Sequence, residues 1–185
     1  MIRLLKNRLA LSTVVTTLII LVVSILLASV LTYFAINVTS TRIQEESLHV
    51  SKQHIWVDSH GVVEAALMVT NNGGRDVVIN NVAVRGQTSA WGTVFTLMAA
   101  KTDPGLTADL PYLTTTPANG GVVAGFAATL ATTTNNLVLP SGSTMIMYMN
   151  DPDSIGMNDI GLTVSISLHS AQAVYYSEVN VQAIP

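Results

Sequence analysis

The chain has 185 residues, a mean hydropathy of +0.49 and a formal net charge of −3. Three of its eight basic residues lie in the first eight positions, so residues 9–185 carry five basic and eleven acidic side chains, a net charge of −6. Nucleic-acid binding needs clustered Lys and Arg, and five scattered basic residues argue against it. The sequence contains no cysteine, which excludes both a disulfide framework and a thiolate metal site.

A segment without charge or histidine runs from Leu9 to Thr41, and Arg3, Lys6 and Arg8 precede it. About 20 apolar residues at 1.5 Å each already cross the roughly 30 Å hydrocarbon core of a bilayer, so this segment is long enough to span a membrane. The apolar region of a cleaved secretory signal has only about 7 to 15 residues. We therefore expect the segment to remain on the mature chain as a membrane helix.

Ala10 precedes Leu11-Ser12-Thr13 and is the only Gly or Ala in the first 27 residues. A basic stub, a small residue and an intact apolar helix resemble the class III signal peptides of the archaeal type IV pilin and archaellin superfamily. The resemblance implies that a prepilin peptidase cuts between Ala10 and Leu11 and removes residues 1–10. The sequence departs from the family pattern at Leu9, where a charged residue is commoner. An uncleaved signal anchor is the alternative.

Small side chains recur at spacings of four and seven in the apolar segment, at Thr13, Thr17, Ser24, Ala28 and Ala35. These spacings place residues on one helix face, and small residues let membrane helices approach closely. The pattern predicts a helix-packing face, although the same residue types are common in membrane helices in general. Asn37-Val38-Thr39 matches the N-glycosylation sequon, which makes Asn37 a candidate for glycosylation.

Good helix formers continue from Arg42 to His49 without Gly or Pro, which predicts one helix over residues 11–52. From residue 53 onward the pattern changes to β-branched and aromatic residues with period-two alternation. We therefore expect a second, β-rich domain over residues 53–185.

The β-rich part reads as a series of strands and turns. Residues 61–70 and 76–84 flank Asn71-Asn72-Gly73-Gly74, a turn sequence typical of a β-hairpin. Further strands are predicted over residues 93–98, 121–130, 136–139, 143–149, 160–169 and 174–181. Short strands at this spacing predict an immunoglobulin-like antiparallel β-sandwich, so the expected fold class is α+β, with a long N-terminal hydrophobic helix. Residues 99–134, where the pattern weakens, are interpreted as a long surface insertion.

Catalytic motifs are absent from the sequence: it contains no Gly-x-Ser-x-Gly, no phosphate loop and no His-Glu-x-x-His. The three histidines of residues 49–60 have spacings of five and six, which do not suit a metal site. Asp151, Asp153 and Asp159 could form an irregular cation site, but Leu162 stands where a helix-loop-helix calcium loop needs an acid. We expect no catalytic residues, no cofactor and no resident metal.

The order of basic stub, apolar helix and β-rich domain also resembles that of archaeal filament subunits over the whole chain. The resemblance implies a structural pilin that lies in the cell membrane before assembly and then forms an extracellular filament for adhesion or motility. Its implied partners are other copies of itself, the prepilin peptidase and the pilus assembly platform. The alternatives are an archaellin of a rotating filament and a membrane-anchored binding module that does not polymerise. An anchored hydrolase is the least favoured alternative.

Overall fold

The structure, a computed structural model, describes residues 2–43, 45–152 and 155–184. The chain divides into two compact units, Met1–Ile43 and Gln44–Pro185. The first unit is a single helix, α1, over Ile2–Ile43, about 63 Å long at 1.5 Å per residue. No Gly or Pro interrupts this range, so every residue can keep helical geometry.

The second unit, which we call the outer domain, consists mainly of β-strands and short loops. The strands are β1 (Leu48–Val57), β2 (Val63–Asn71), β3 (Val77–Val84), β4 (Gln87–Thr88), β5 (Val94–Ala99), β6 (Ala131–Thr132), β7 (Leu137–Leu139), β8 (Thr144–Asn150), β9 (Thr163–Ser170) and β10 (Val174–Ala183). Single 3₁₀ turns lie at Trp91–Thr93, Pro104–Leu106 and Met157–Asp159.

The strands form one curled sheet in the order β4-β3-β9-β10-β1-β2-β8-β5-β6, with β7 paired to β3. All pairs are antiparallel except β1 and β10, which run parallel where residues 55–57 meet residues 181–183. The predicted α+β class with a long N-terminal helix is therefore confirmed. The immunoglobulin-like arrangement of two sheets stays a prediction.

The main core lies inside the curl, between the β1-β2-β8 part and the β3-β9-β10 part of the sheet. In β9 the residues Val164, Ile166 and Leu168 point into it and alternate with exposed or half-buried Thr and Ser, as the sequence pattern predicts. In β2 nearly every residue is buried, so this central strand is covered on both faces. A second apolar layer must therefore lie outside the curl.

Residues 99–134 provide that layer, so the segment predicted as a surface insertion is a packed cover. The buried side chains of this cover pack against residues on the outer face of the sheet, among them Ala66 and Tyr148. The cover contributes Leu110, Val123, Phe126 and Leu130. Gly105 fits beneath the Phe126 ring so closely that a Cβ at residue 105 would lie 2.4 Å from a ring carbon. The strand predicted over residues 121–130 is wrong, because only an isolated bridge between Val122 and Thr129 forms there.

The boundary between helix and strands differs from the prediction as well. The helix ends at Ile43 instead of continuing to residue 52, and β1 begins at Leu48. Leu48 is buried in the main core and pairs with Asn71 of β2, while the carbonyl of Ser47 accepts hydrogen bonds from the amides of Asn72 and Gly73. Burial and strand pairing thus outweigh the helix propensity of the segment.

The predicted hairpin around Asn71-Asn72-Gly73-Gly74 is also wrong. β2 pairs with β1 and β8, whereas β3 pairs with β4, β7 and β9, so the turn carries the chain from one part of the curl to the other. The Asn71 side chain is buried and donates to the carbonyls of Arg75, at 2.8 Å, and Leu139, at 3.0 Å. This amide therefore satisfies two backbone carbonyls, one in the turn and one at the end of β7.

Candidate functional site

The most extensive candidate functional surface is the side of α1 itself. Leu11–Thr41 has a mean hydropathy of 2.9, is long enough to cross a membrane, and consists of exposed residues throughout. Its large apolar side chains are typically more than half exposed; Leu26 and Leu27, for example, are both 60% exposed. Such a surface is stable only in lipid or against other apolar helices.

Hydroxyl groups on this helix bond to the helix's own backbone. Ser24 Oγ donates to the carbonyl of Ile20 at 2.7 Å and Thr32 Oγ1 to that of Ala28 at 2.8 Å, and the same type of bond is made by Thr16, Thr17, Ser29 and Thr41. A hydroxyl without a partner is costly in hydrocarbon, and these bonds remove that cost. The polar residues of α1 are therefore compatible with an apolar environment.

The residues predicted for helix packing all lie within α1: Thr13, Thr17, Ser24, Ala28 and Ala35. At 100° per residue their directions fall within about 60° of one another, so they occupy one stripe of the helix. All five are exposed along the single helix. Their role in packing against another helix stays a prediction.

The predicted cleavage site and sequon also lie on α1. The bond between Ala10 and Leu11 belongs to the helix, and the side chain of Ala10 lies outside the described set. Asn37 is exposed, and its carbonyl accepts a hydrogen bond from Thr41 Oγ1 at 2.9 Å. Processing at Ala10 and glycosylation at Asn37 both stay predictions.

In the outer domain, ionisable side chains gather on the outer face of β1 and β2. A bulge between Ser51 and His54 interrupts the pairing of β1, and Lys52 there has a φ of 50°, in the left-handed region. Before the bulge, Leu48 and Val50 face the main core; after it, even-numbered residues face outward. The bulge therefore directs Lys52 and His54 toward the cover.

Three of these side chains bond to the cover. The Lys52 ammonium donates to the carbonyls of Gly105, at 3.2 Å, Leu106, at 2.6 Å, and Ala108. His54 Nε2 lies 2.8 Å from Asp109 Oδ1, and Glu64 Oε1 accepts from the Leu113 amide at 2.9 Å. Tyr148 from β8 is the fourth such side chain, and its hydroxyl donates to the carbonyl of Pro111 at 2.8 Å.

Burial shifts the acid–base properties of this cluster. Glu64 is only 2% exposed, and the loss of water around it raises its pKa to about 7, although the Leu113 amide acts in the opposite direction. Burial also raises the pKa of Tyr148, and the nearby Glu64 carboxylate adds to that shift. The hydrogen bond from His54 lowers the pKa of Asp109. Glu64 is thus poised to change its charge near neutral pH.

Sequence reasoning did not identify this cluster. The one signal that could have revealed it is Glu64, an acid in the apolar run Val63-Glu64-Ala65-Ala66-Leu67, where an unpaired charge is not expected. Nothing in the sequence marks Lys52 and His54 in this way, because only the bulge determines which face of the sheet their side chains lie on.

The cation site considered at Asp151, Asp153 and Asp159 is not assembled by the residues that the structure describes. Asp159 pairs with Arg85 at 2.8 Å and accepts from the Gly156 amide at 2.9 Å, and Asp153 lies outside the described ranges. Within those ranges, no three His, Asp or Glu side chains come together as metal ligands.

The sequence matches no protein-family model and no curated protein.

Proposed function

We propose that the chain is the structural subunit of an archaeal type IV pilus-like filament, which polymerises through α1 and carries the outer domains on its surface. The observation that supports this most strongly is the exposed apolar length of Leu11–Thr41. In the membrane, lipid covers this surface; in a filament, neighbouring helices would replace the lipid. The self-bonded hydroxyls suit both environments, so transfer between them costs little.

The partners follow from this function. A prepilin peptidase would process the chain at the membrane, an assembly platform would move subunits from the membrane into the filament, and other copies of the chain would form the polymer. The small-residue stripe from Thr13 to Ala35 is the face that we assign to close contact between helices. Adhesion or motility would be the property of the assembled filament.

Electron microscopy of cells that produce the chain tests this function directly. We expect thin surface filaments that bind gold-labelled antibodies raised against residues 45–185 along their length. Cells lacking the gene are the control. Label spread over the cell surface, without filaments, would instead favour the membrane-anchored binding module. Loss of swimming, instead of loss of attachment, upon deletion of the gene would favour the archaellin.

Processing gives a separate prediction. Ala10 is the only Gly or Ala ahead of Ala28, so a class III peptidase has one suitable site, and we expect the mature chain to begin at Leu11. Intact-mass spectrometry of protein sheared from the cell surface measures this. An Ala10→Leu variant should accumulate as the full-length chain in the membrane. Surface protein that still begins at Met1 in the wild type would support the uncleaved anchor.

A further inference from the structure

We propose that residues 106–113, here called the strap, form a pH-sensitive cover that the Glu64 carboxyl group holds against the sheet when protonated and loosens when ionised. The strap belongs to the outer domain alone, so its response to pH does not depend on polymerisation. Residues 106–113 lie on the outer face of β1, β2 and β8, and their bonds to that face are made largely by ionisable side chains.

The strap differs from the remainder of the cover in what holds it. Residues 117–134 are anchored by three buried apolar side chains, Val123, Phe126 and Leu130, and by backbone bonds between Gly120, Gly121 and Leu130. In the strap, Leu110 is the one fully buried apolar residue, while Leu106, Tyr112 and Leu113 pack against the same cluster but stay half-exposed. The polar contacts of the strap therefore make up a larger part of its attachment, so a change of charge should act there first.

A change of charge at Glu64 has the largest effect on the attachment of the strap. Its cross-strand neighbours are Trp56 on β1 and Asn150 on β8, neither of which carries a charge that could balance the carboxylate. The ring of Tyr112 lies edge-on to Trp56, with centroids 5.9 Å apart, which closes the strap over this region. An ionised carboxylate beneath that cover loses its water, and among the described residues it gains the Leu113 amide as its hydrogen-bond donor.

The other titratable groups around Glu64 can be assigned from the contacts. Tyr148 and Tyr112 face it from β8 and from the strap, and burial raises the pKa of both above the ordinary value, so both stay neutral near pH 7. Asp58, near Tyr112, has a lowered pKa and stays ionised. Lys52 and the pair of His54 with Asp109 complete the attachment of the strap.

The sign of the effect follows from linkage. Because the pKa of Glu64 is raised from 4.5 to about 7 in the closed state, the closed state binds the proton more tightly than the open state. The stabilisation of the closed strap is complete below pH 4.5, declines between pH 4.5 and 7, and is lost above pH 7. Between pH 5 and pH 8.5 the opening constant should rise by roughly 10- to 100-fold.

Hydrogen–deuterium exchange of the full chain in detergent micelles, at pH 5 and pH 8.5, tests the proposal. Each measured exchange rate is divided by the intrinsic rate of an unstructured peptide at the same pH, which gives a protection factor. We expect the protection factor of the Leu113 amide to fall by roughly 10-fold or more at the higher pH. Peptides from residues 117–134 serve as the internal control and should keep their protection. Equal loss in both segments, or no loss in the strap, would overturn the proposal.

Three variants identify the responsible group. Glu64→Gln keeps an acceptor for the Leu113 amide but cannot ionise, so its strap should stay protected at both pH values. Glu178→Gln, on the exposed face of β10, should behave like the wild type. Lost protection in residues 117–134 would show that Glu64→Gln fails to fold. In that case the comparison of the wild-type chain at pH 5 and pH 8.5 still tests whether the strap opens. A pH response that persists in Glu64→Gln and disappears in His54→Gln would assign the effect to His54 and refute the role of Glu64.

Discussion

Replacing Leu26 with Asp is expected to abolish filaments while leaving the subunit in the membrane and its outer domain folded. Leu26 lies in the middle of the apolar part of α1 and is 60% exposed in the single chain. Translocon-based scales give a cost of about 2.5 to 3.5 kcal/mol for Asp at a helix centre, which the remaining apolar residues can offset during insertion of one helix. In a bundle of helices the same cost recurs in every subunit, so assembly should fail. Microscopy and membrane fractionation measure the two results separately.

Two control variants distinguish the effect of a charge at residue 26 from the effect of losing the leucine side chain. Leu26→Ala keeps the surface apolar and should still form filaments, while Leu26→Asn, which is polar but uncharged, should be intermediate. Antibodies against the outer domain should recognise all three variants, because residue 26 belongs to the other compact unit. Normal filaments from Leu26→Asp subunits would show that α1 is not the assembly core, and the membrane-anchored module would then be the better account.

The second large effect concerns where the outer domain begins. A fragment of residues 45–185 should be soluble, monomeric and β-rich, since it retains both apolar clusters of the domain. A fragment of residues 53–185 loses the part of β1 that pairs Leu48 through Ser51 with β2, together with the buried Leu48 side chain. Burial of one Leu stabilises a fold by about 2 kcal/mol, and the lost strand pairing adds to this. We expect the shorter fragment to melt roughly 10 °C lower.

Circular dichroism during heating compares the two fragments. A Leu48→Ala variant of the longer fragment is the matched control, and its melting temperature should fall between theirs. Equal melting temperatures for the two fragments would mean that the first half of β1 contributes nothing to stability. Failure of the longer fragment to fold would mean that α1 completes the core of the outer domain.

Much of the architecture follows from local patterns. The helix was predictable because a long uncharged apolar run without Gly or Pro has few alternatives to α-helix. Strands β9 and β10 were predictable because alternating apolar residues favour a half-buried strand wherever it finally pairs, and β5 and β8 because short apolar runs favour a buried strand.

Which strands pair, and which way the side chains of β1 point, were not predictable from local patterns. The sequence around Asn71 has the residues of a hairpin turn, yet its side-chain amide bonds to Arg75 and Leu139, and the next strand pairs elsewhere. The bulge at Lys52 exists because Leu48 and Ile55 must both face the same core despite an odd spacing.

By itself the sequence determined that this protein has a long apolar helix and a separate β-rich domain, because hydropathy and periodicity act over neighbouring residues. Only the tertiary structure decided that residues 99–134 form a packed cover and that Lys52, His54 and Glu64 meet its strap. Those contacts join residues roughly 50 positions apart in the chain. Their geometry depends on how the whole sheet curls, and a raised pKa arises only once a carboxyl group is buried.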